Sequence, residues 1–127
     1  MDRRVPNQPS VILSVSVVMV GVTDMARSVA FYRDVLGLKL TSKVNSFSFF
    51  DAGGTTLALS TAHAQASENI TGATEIVFGV ESVQKTYESL KAQGVRFRSE
   101  PRDVNGQEWS AAFADPDGHV LSIFGPP

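Results

Sequence analysis

Few residues of this chain have the chemistry to act on another molecule. Glu75 opens an apolar run, Glu75-Ile76-Val77-Phe78. A carboxylate in an apolar cleft favours its neutral form and can then serve as a general acid or base. It can also pair with a cationic ligand, be held in a salt bridge by Arg96, Arg98 or Lys39, or simply be an exposed residue at the start of a strand. His63 falls in a small, polar stretch and His119 follows the turn sequence Asp115-Pro116-Asp117-Gly118. Both read as loop or turn histidines rather than metal ligands. Arg96 and Arg98 alternate with Phe97, as solvated residues do, and could hold an anionic ligand at a cleft mouth. Trp109, the one tryptophan, could stack on a flat or cationic ligand, or belong to a core or a dimer interface. Ser122 has no His–Asp relay mapped near it, which argues against a hydrolase triad. Gly53-Gly54 precedes a strand, not a helix, so it is not a phosphate loop.

Composition narrows the classes. With 127 residues the chain is long enough for one domain with a core and short for two. The formal net charge of −2 and the lack of a basic run argue against nucleic-acid binding. Cysteine is absent, which excludes disulfides, zinc thiolates and thiol catalysis. The apolar run from Val11 to Val22 is too short to span a bilayer, and no small-residue cleavage site follows it. It reads as a buried strand, and the expected location is cytoplasmic.

The elements that must position these groups follow from periodicity. Residues 1–12 read as a polar tail. Ser14 to Val22 is a valine-rich strand. From Thr23 or Asp24 as cap to Gly37 as stop, Met25, Val29, Tyr32 and Leu36 share one face of a single helix. Strands are expected over Leu38 to Val44, Phe47 to Asp51 and Thr55 to Thr61, and Ala62 to Ala73 reads as a linker. A strand from Thr74 to Val80 and a helix from Ser82 to Gln93 come next. Strands follow over Val95 to Ser99, Glu108 to Ala114 and His119 to Phe124.

The order repeats. Val17 to Val22 matches Glu75 to Val80, and Gly37-Leu38-Lys39-Leu40 matches Gly94-Val95-Arg96-Phe97. Phe49-x-Asp51-x-x-Gly54-x-x-Leu57-Ala58-Leu59 matches Phe113-x-Asp115-x-x-Gly118-x-x-Leu121-Ser122-Ile123 without a gap. The chain is therefore a tandem duplication of a βαβββ module, 13–61 and 74–125, within a single α+β domain. One module covers only one sheet face with its helix, so the two must combine.

The helix segment Asp24 to Leu38 and the turn Asp115-Pro116-Asp117-Gly118-His119, in this order, resemble the signature segments of the vicinal oxygen chelate superfamily. This is the glyoxalase, bleomycin-resistance and extradiol dioxygenase group, and the resemblance spans residues 13–125. It implies a curled mixed sheet, a partial barrel around a cleft, with helices outside. It also implies a cleft metal held by His, Gln or Glu at four positions. Here those positions carry Val17, Ala58, Glu75 and Ser122. Only Glu75 is a competent ligand, so the expectation is no metal and no cofactor.

The same positions set the phase of alternation. Val15, Val17, Met19 and Gly21 would face the cleft, with Thr56, Ala58, Ser60, Glu75, Val77, Gly79, Val120, Ser122 and Phe124. Phe47, Phe49, Trp109, Ala111 and Phe113 would wall it or cap its ends. Val18, Val20 and Val22 would pack beneath the helices. Such an apolar cleft suits a hydrophobic or aromatic small molecule. The expected function is metal-independent binding, similar to the bleomycin-resistance branch with its link to antibiotic resistance. The alternative is a glyoxalase-like lyase or isomerase (lactoylglutathione lyase-like), or a dioxygenase-family enzyme, with Glu75 as the catalytic acid or base. The resemblance further implies a homodimer, with no nucleic-acid or membrane partner.

Overall fold

The computed structural model describes residues 14–66 and 74–127. The expected tail lies outside these residues. In chain order the elements are β1 (Val17–Gly21), α1 (Met25–Ala30), a π turn (Phe31–Val35), β2 (Lys39–Val44), β3 (Phe47–Asp51) and β4 (Thr56–Ser60). Then come α2 (Thr61–Ala66), β5 (Glu75–Gly79), α3 (Val83–Ala92), β6 (Arg102–Asp103), β7 (Trp109–Ala114) and β8 (Val120–Gly125).

Each module forms a four-stranded mixed sheet, in the orders β1-β4-β3-β2 and β5-β8-β7-β6. The pairs β1–β4 and β5–β8 are parallel and the other pairs antiparallel. The sheets stay unclosed, with β1 and β5 as their inner edges. Val18, Val20 and Val22 lie on the core side as expected, with Val22 fully buried.

Asp24 caps α1 by accepting the Arg27 N–H at 3.0 Å, and Gly37 leaves the helix at φ +77°, a conformation that glycine adopts without strain. The expected single helix is interrupted. The Leu36 N–H bonds the Phe31 carbonyl five residues back, so the last turn is wide. Wide turns of this kind shift side chains off the regular helical stripe. Here the turn carries Tyr32, which is fully buried.

Three further differences have local causes. The linker begins as a helix, α2, because the Ser60 Oγ accepts the His63 N–H at 3.0 Å, as an N-cap serine does. The rest of the linker, residues 67–73, lies outside the described residues. The strand expected over Val95 to Ser99 reduces to one bridge, Phe97 to Phe113. There the Arg98 and Ser99 N–H groups both point to the Ala112 carbonyl, and the Ala112 N–H is taken by the Ser99 hydroxyl at 3.0 Å. A side chain thus replaces the ladder, and pairing resumes only at Arg102–Asp103.

The modules are latched by α1 and the turn before β8. The Tyr32 hydroxyl donates to Asp115 Oδ2 at 2.9 Å. Asp115 Oδ1 accepts the N–H groups of Asp117 at 3.0 Å and His119 at 2.8 Å. Asp117 in turn accepts from the Thr23 N–H and hydroxyl and from Ser28, and pairs with Arg27 at 3.4 Å. Burial, then the Asp115 charge and the hydrogen bond to it, push the Tyr32 phenol far above its ordinary value.

Tyr32→Phe removes one donor from a buried carboxylate and should cost about 1.5–3 kcal/mol in urea unfolding. The phenol binds its proton more tightly folded than unfolded. Its stabilising contribution is therefore complete below the unfolded value and declines as pH rises past about 10, by on the order of 1.4 kcal/mol per pH unit. The difference in stability between the native protein and Tyr32→Phe should accordingly narrow in alkali.

Candidate ligand-binding groove

Alternation along β1 also decides what its backbone does. Ser16 and Ser60 carbonyls accept from Thr56 and Val22, so the even-numbered residues turn their peptide groups toward β4. Val17, Met19 and Gly21 turn theirs toward β5. On β5 the Val80 N–H bonds Phe124, so Glu75, Val77 and Gly79 turn theirs toward β1. The two edges do not form a ladder. Between them runs a groove in two adjoining parts.

The first part, about 460 Å³, is lined by Met19, Gly21, Thr74, Glu75, His119 and Val120, among others. The second, about 240 Å³, is lined by Val15, Ala52, Thr55, Leu57 and Phe78, among others. Val18, Ile76 and Val77 line both. The C-terminal end of β1 thus lies by the start of β5, and the strands run in opposite senses.

The expected site residues divide. Met19, Glu75 and Val77 line the groove. Val17 lies on the same exposed face as Val15 and Met19, at 44% exposure, outside the groove walls. Ala58, opposite Met19 and Phe49, is fully buried. Phe49 is half-buried and stacks on Phe47 at 6.1 Å. Ser122 is buried between Val77 and Ala112, and Phe124 is half-buried opposite Gly79. Ser60 is buried, and its hydroxyl is engaged in capping α2.

Of the places expected for Trp109, the structure gives the core rather than the cleft. Ala112, not Ala111, stands opposite Ser122, so Trp109, Ala111 and Phe113 share the helix-side face and Trp109 packs against the core. Glu75 is exposed at the groove rim. The desolvation that an acid–base role requires is not provided by the groove as it stands. Among the described residues it makes no ion pair with Arg96, Arg98 or Lys39.

Sequence reasoning missed the part played by His119. The ring Nε2 of His119 lies 2.6 Å from the Gly21 carbonyl. A carbonyl only accepts, so Nε2 carries the proton and the half-buried ring bridges the modules. The available signal was its place directly after the turn that latches α1. Gly21, expected in the cleft, lines the groove, and α2 packs against its Cα. A Cβ there would lie 2.9 Å from the Ala64 nitrogen. Its repeat partner Gly79 has nothing within 4 Å.

A divalent metal does not fit the four implied positions. Val17 and Ala58 have no donor atom, the Ser122 hydroxyl is buried, and Glu75 alone offers a charge. Among the described residues no three His, Cys, Asp or Glu side chains gather in a metal-binding group.

Residues 14–123 match the family model of the Glyoxalase/Bleomycin resistance protein/Dioxygenase superfamily. The chain belongs to this superfamily. It is 33% identical to the uncharacterised protein YraH of Bacillus subtilis, over 81% of this chain and 91% of that one. It is 32% identical to the metallothiol transferase FosB of Lysinibacillus sphaericus, over 87% and 80%. Among solved structures, a superfamily member from Nocardioides superposes with TM-score 0.77 at 25% identity, over 94% of this chain and 90% of that one. TnmS3, an antibiotic-binding protein from Streptomyces, shares the fold with TM-score 0.78 at 21% identity, over 94% and 100%.

Gly21→Ala should force α2 away from β1 and cost about 1–3 kcal/mol in chemical denaturation. Gly79→Ala, at the matching position of the second module, should be neutral or stabilise by up to about 1 kcal/mol.

Proposed function

We propose that this chain binds a hydrophobic or aromatic small molecule in the β1–β5 groove, without a divalent metal. The observation that carries this is the groove wall itself, Val15, Val18, Met19, Ile76, Val77 and Phe78, lining two adjoining cavities between the modules. Concave apolar surface with few polar groups is the usual form of a small-molecule site. The shared fold with an antibiotic-binding protein supports the same function.

The relative named as a metallothiol transferase favours a second possibility, an enzyme with Glu75 as its acid–base group. The lack of donors at positions 17 and 58, with only a buried neutral hydroxyl at Ser122, weighs against a Lewis-acid version of it. The exposure of Glu75 weighs against a metal-free one.

We further propose a cytoplasmic homodimer. Val15, Val17, Met19 and Val77 are 65%, 44%, 37% and 54% exposed on and just before the inner strands, an apolar strip bordering the groove that a second copy would help to enclose. No helix among the described residues is long and apolar enough to cross a membrane.

The test is a thermal-unfolding titration of chelator-treated protein. A ligand of the native state raises the melting temperature by mass action. Mn²⁺, Ni²⁺, Zn²⁺ and Fe²⁺ should leave it unchanged, while the apolar dye N-phenylnaphthylamine should bind with a rise in fluorescence. A saturable shift at stoichiometric metal would overturn metal independence and bring the enzyme forward. Light scattering of the eluting protein should give twice the chain mass.

A further inference from the structure

The groove has two unlike ends. The selectivity that this difference implies rests on the binding function proposed above and deepens it. At one end stand Thr74, Glu75 and His119, beside the β1 terminus that α2 covers at Gly21. At the other stand Val15, Ala52, Leu57 and Phe78, with Thr55 and Thr56 as the polar groups. The matching glycine of the second module, Gly79, has no such cover.

Charge at the first end has one sign. Among the described residues, Glu75 is the only Asp, Glu, Lys or Arg side chain lining either part of the groove. The Nε2 proton of His119 is already given to the Gly21 carbonyl, so it is not available to an anion. Among the described residues Glu75 has no cationic partner of its own, so a bound cation would displace water and no protein group.

We propose that the groove selects an amphipathic amine, its ammonium head at Glu75 beside Thr74 and its hydrocarbon or aromatic body along Val77 toward Val15 and Phe78. An ammonium near a carboxylate on a partly apolar wall gains a charge-assisted hydrogen bond. The apolar body supplies the larger share of affinity by leaving water.

The test compares three probes with one chain and three heads, decylammonium, decanol and decanoate, by titration calorimetry of the full-length protein below micelle formation. In low salt decylammonium should bind about fivefold tighter than decanol, the scale of a rim-exposed ion pair, and decanoate more weakly than either. High salt should shrink the preference. Glu75→Gln, an exposed substitution whose melting temperature should match the native protein, should bring decylammonium to the affinity of decanol and leave decanol unchanged. If decanol binds and decylammonium binds no better, or if the preference survives Glu75→Gln, the amine selectivity is overturned while hydrophobic binding stands. If none of the three binds, the hydrophobic-ligand function falls and the selectivity with it.

Discussion

The carboxylate of Asp115 is the constraint on which the arrangement of the two modules depends. It is 5% exposed and can only accept hydrogen bonds. Left without donors, a buried carboxylate would cost several kcal/mol. Two donors come from its own turn, at Asp117 and His119, and the third is the Tyr32 hydroxyl from the other module. To deliver that hydroxyl the helix must widen at Phe31–Val35, and to present the carboxylate the chain must turn at Pro116. Asp117 then holds the start of α1 through Thr23, Arg27 and Ser28. A single buried charge thus ties an otherwise unusual helix geometry to an otherwise ordinary turn.

The groove follows from the same latch. The turn ends at His119, whose ring reaches the last residue of β1. The inner edges are held near one another at that end, but no ladder joins them. Their separation is a consequence of fixing two rigid sheets at a few side-chain contacts rather than along their backbones. The family supplies the fold in which such grooves occur. The residues of this chain decide what the groove accepts, since fold and function are separable.

Much of the architecture was legible because it rests on short-range rules. The alternation of Val18, Val20 and Val22 against Val17 and Met19, the cap at Asp24 and the stop at Gly37 are local signals. The internal match between the two halves gave the module count directly. The π turn was not legible, because Met25, Val29, Tyr32 and Leu36 fit a regular helix and the distortion answers a partner 83 residues away. Nor was the face of Trp109, since one residue of register on β7 exchanges its two faces. The site was only partly legible for a further reason. Alternation distinguishes the faces of a sheet, whereas this groove lies between two edges and draws on both faces. Hence Val18 and Ile76 line it along with Met19 and Val77.

The outer edges of the sheets contrast with the inner ones. β2 carries Lys39 and Lys43 and slips register between Leu40 and Ser42, and β6 is two residues long and wholly charged. Charges, bulges and short length are the devices by which exposed strands refuse to pair with a neighbouring molecule. The chain thus concentrates its protection against edge-to-edge aggregation on the two strands that face solvent. The inner strands, whose edges border the groove, carry no such defence. Any event that parts the modules would therefore do more than empty the groove. It would expose the edges of two largely apolar strands, β1 and β5, that carry no lysine, proline or bulge, and these would be the first segments to seed a cross-β aggregate.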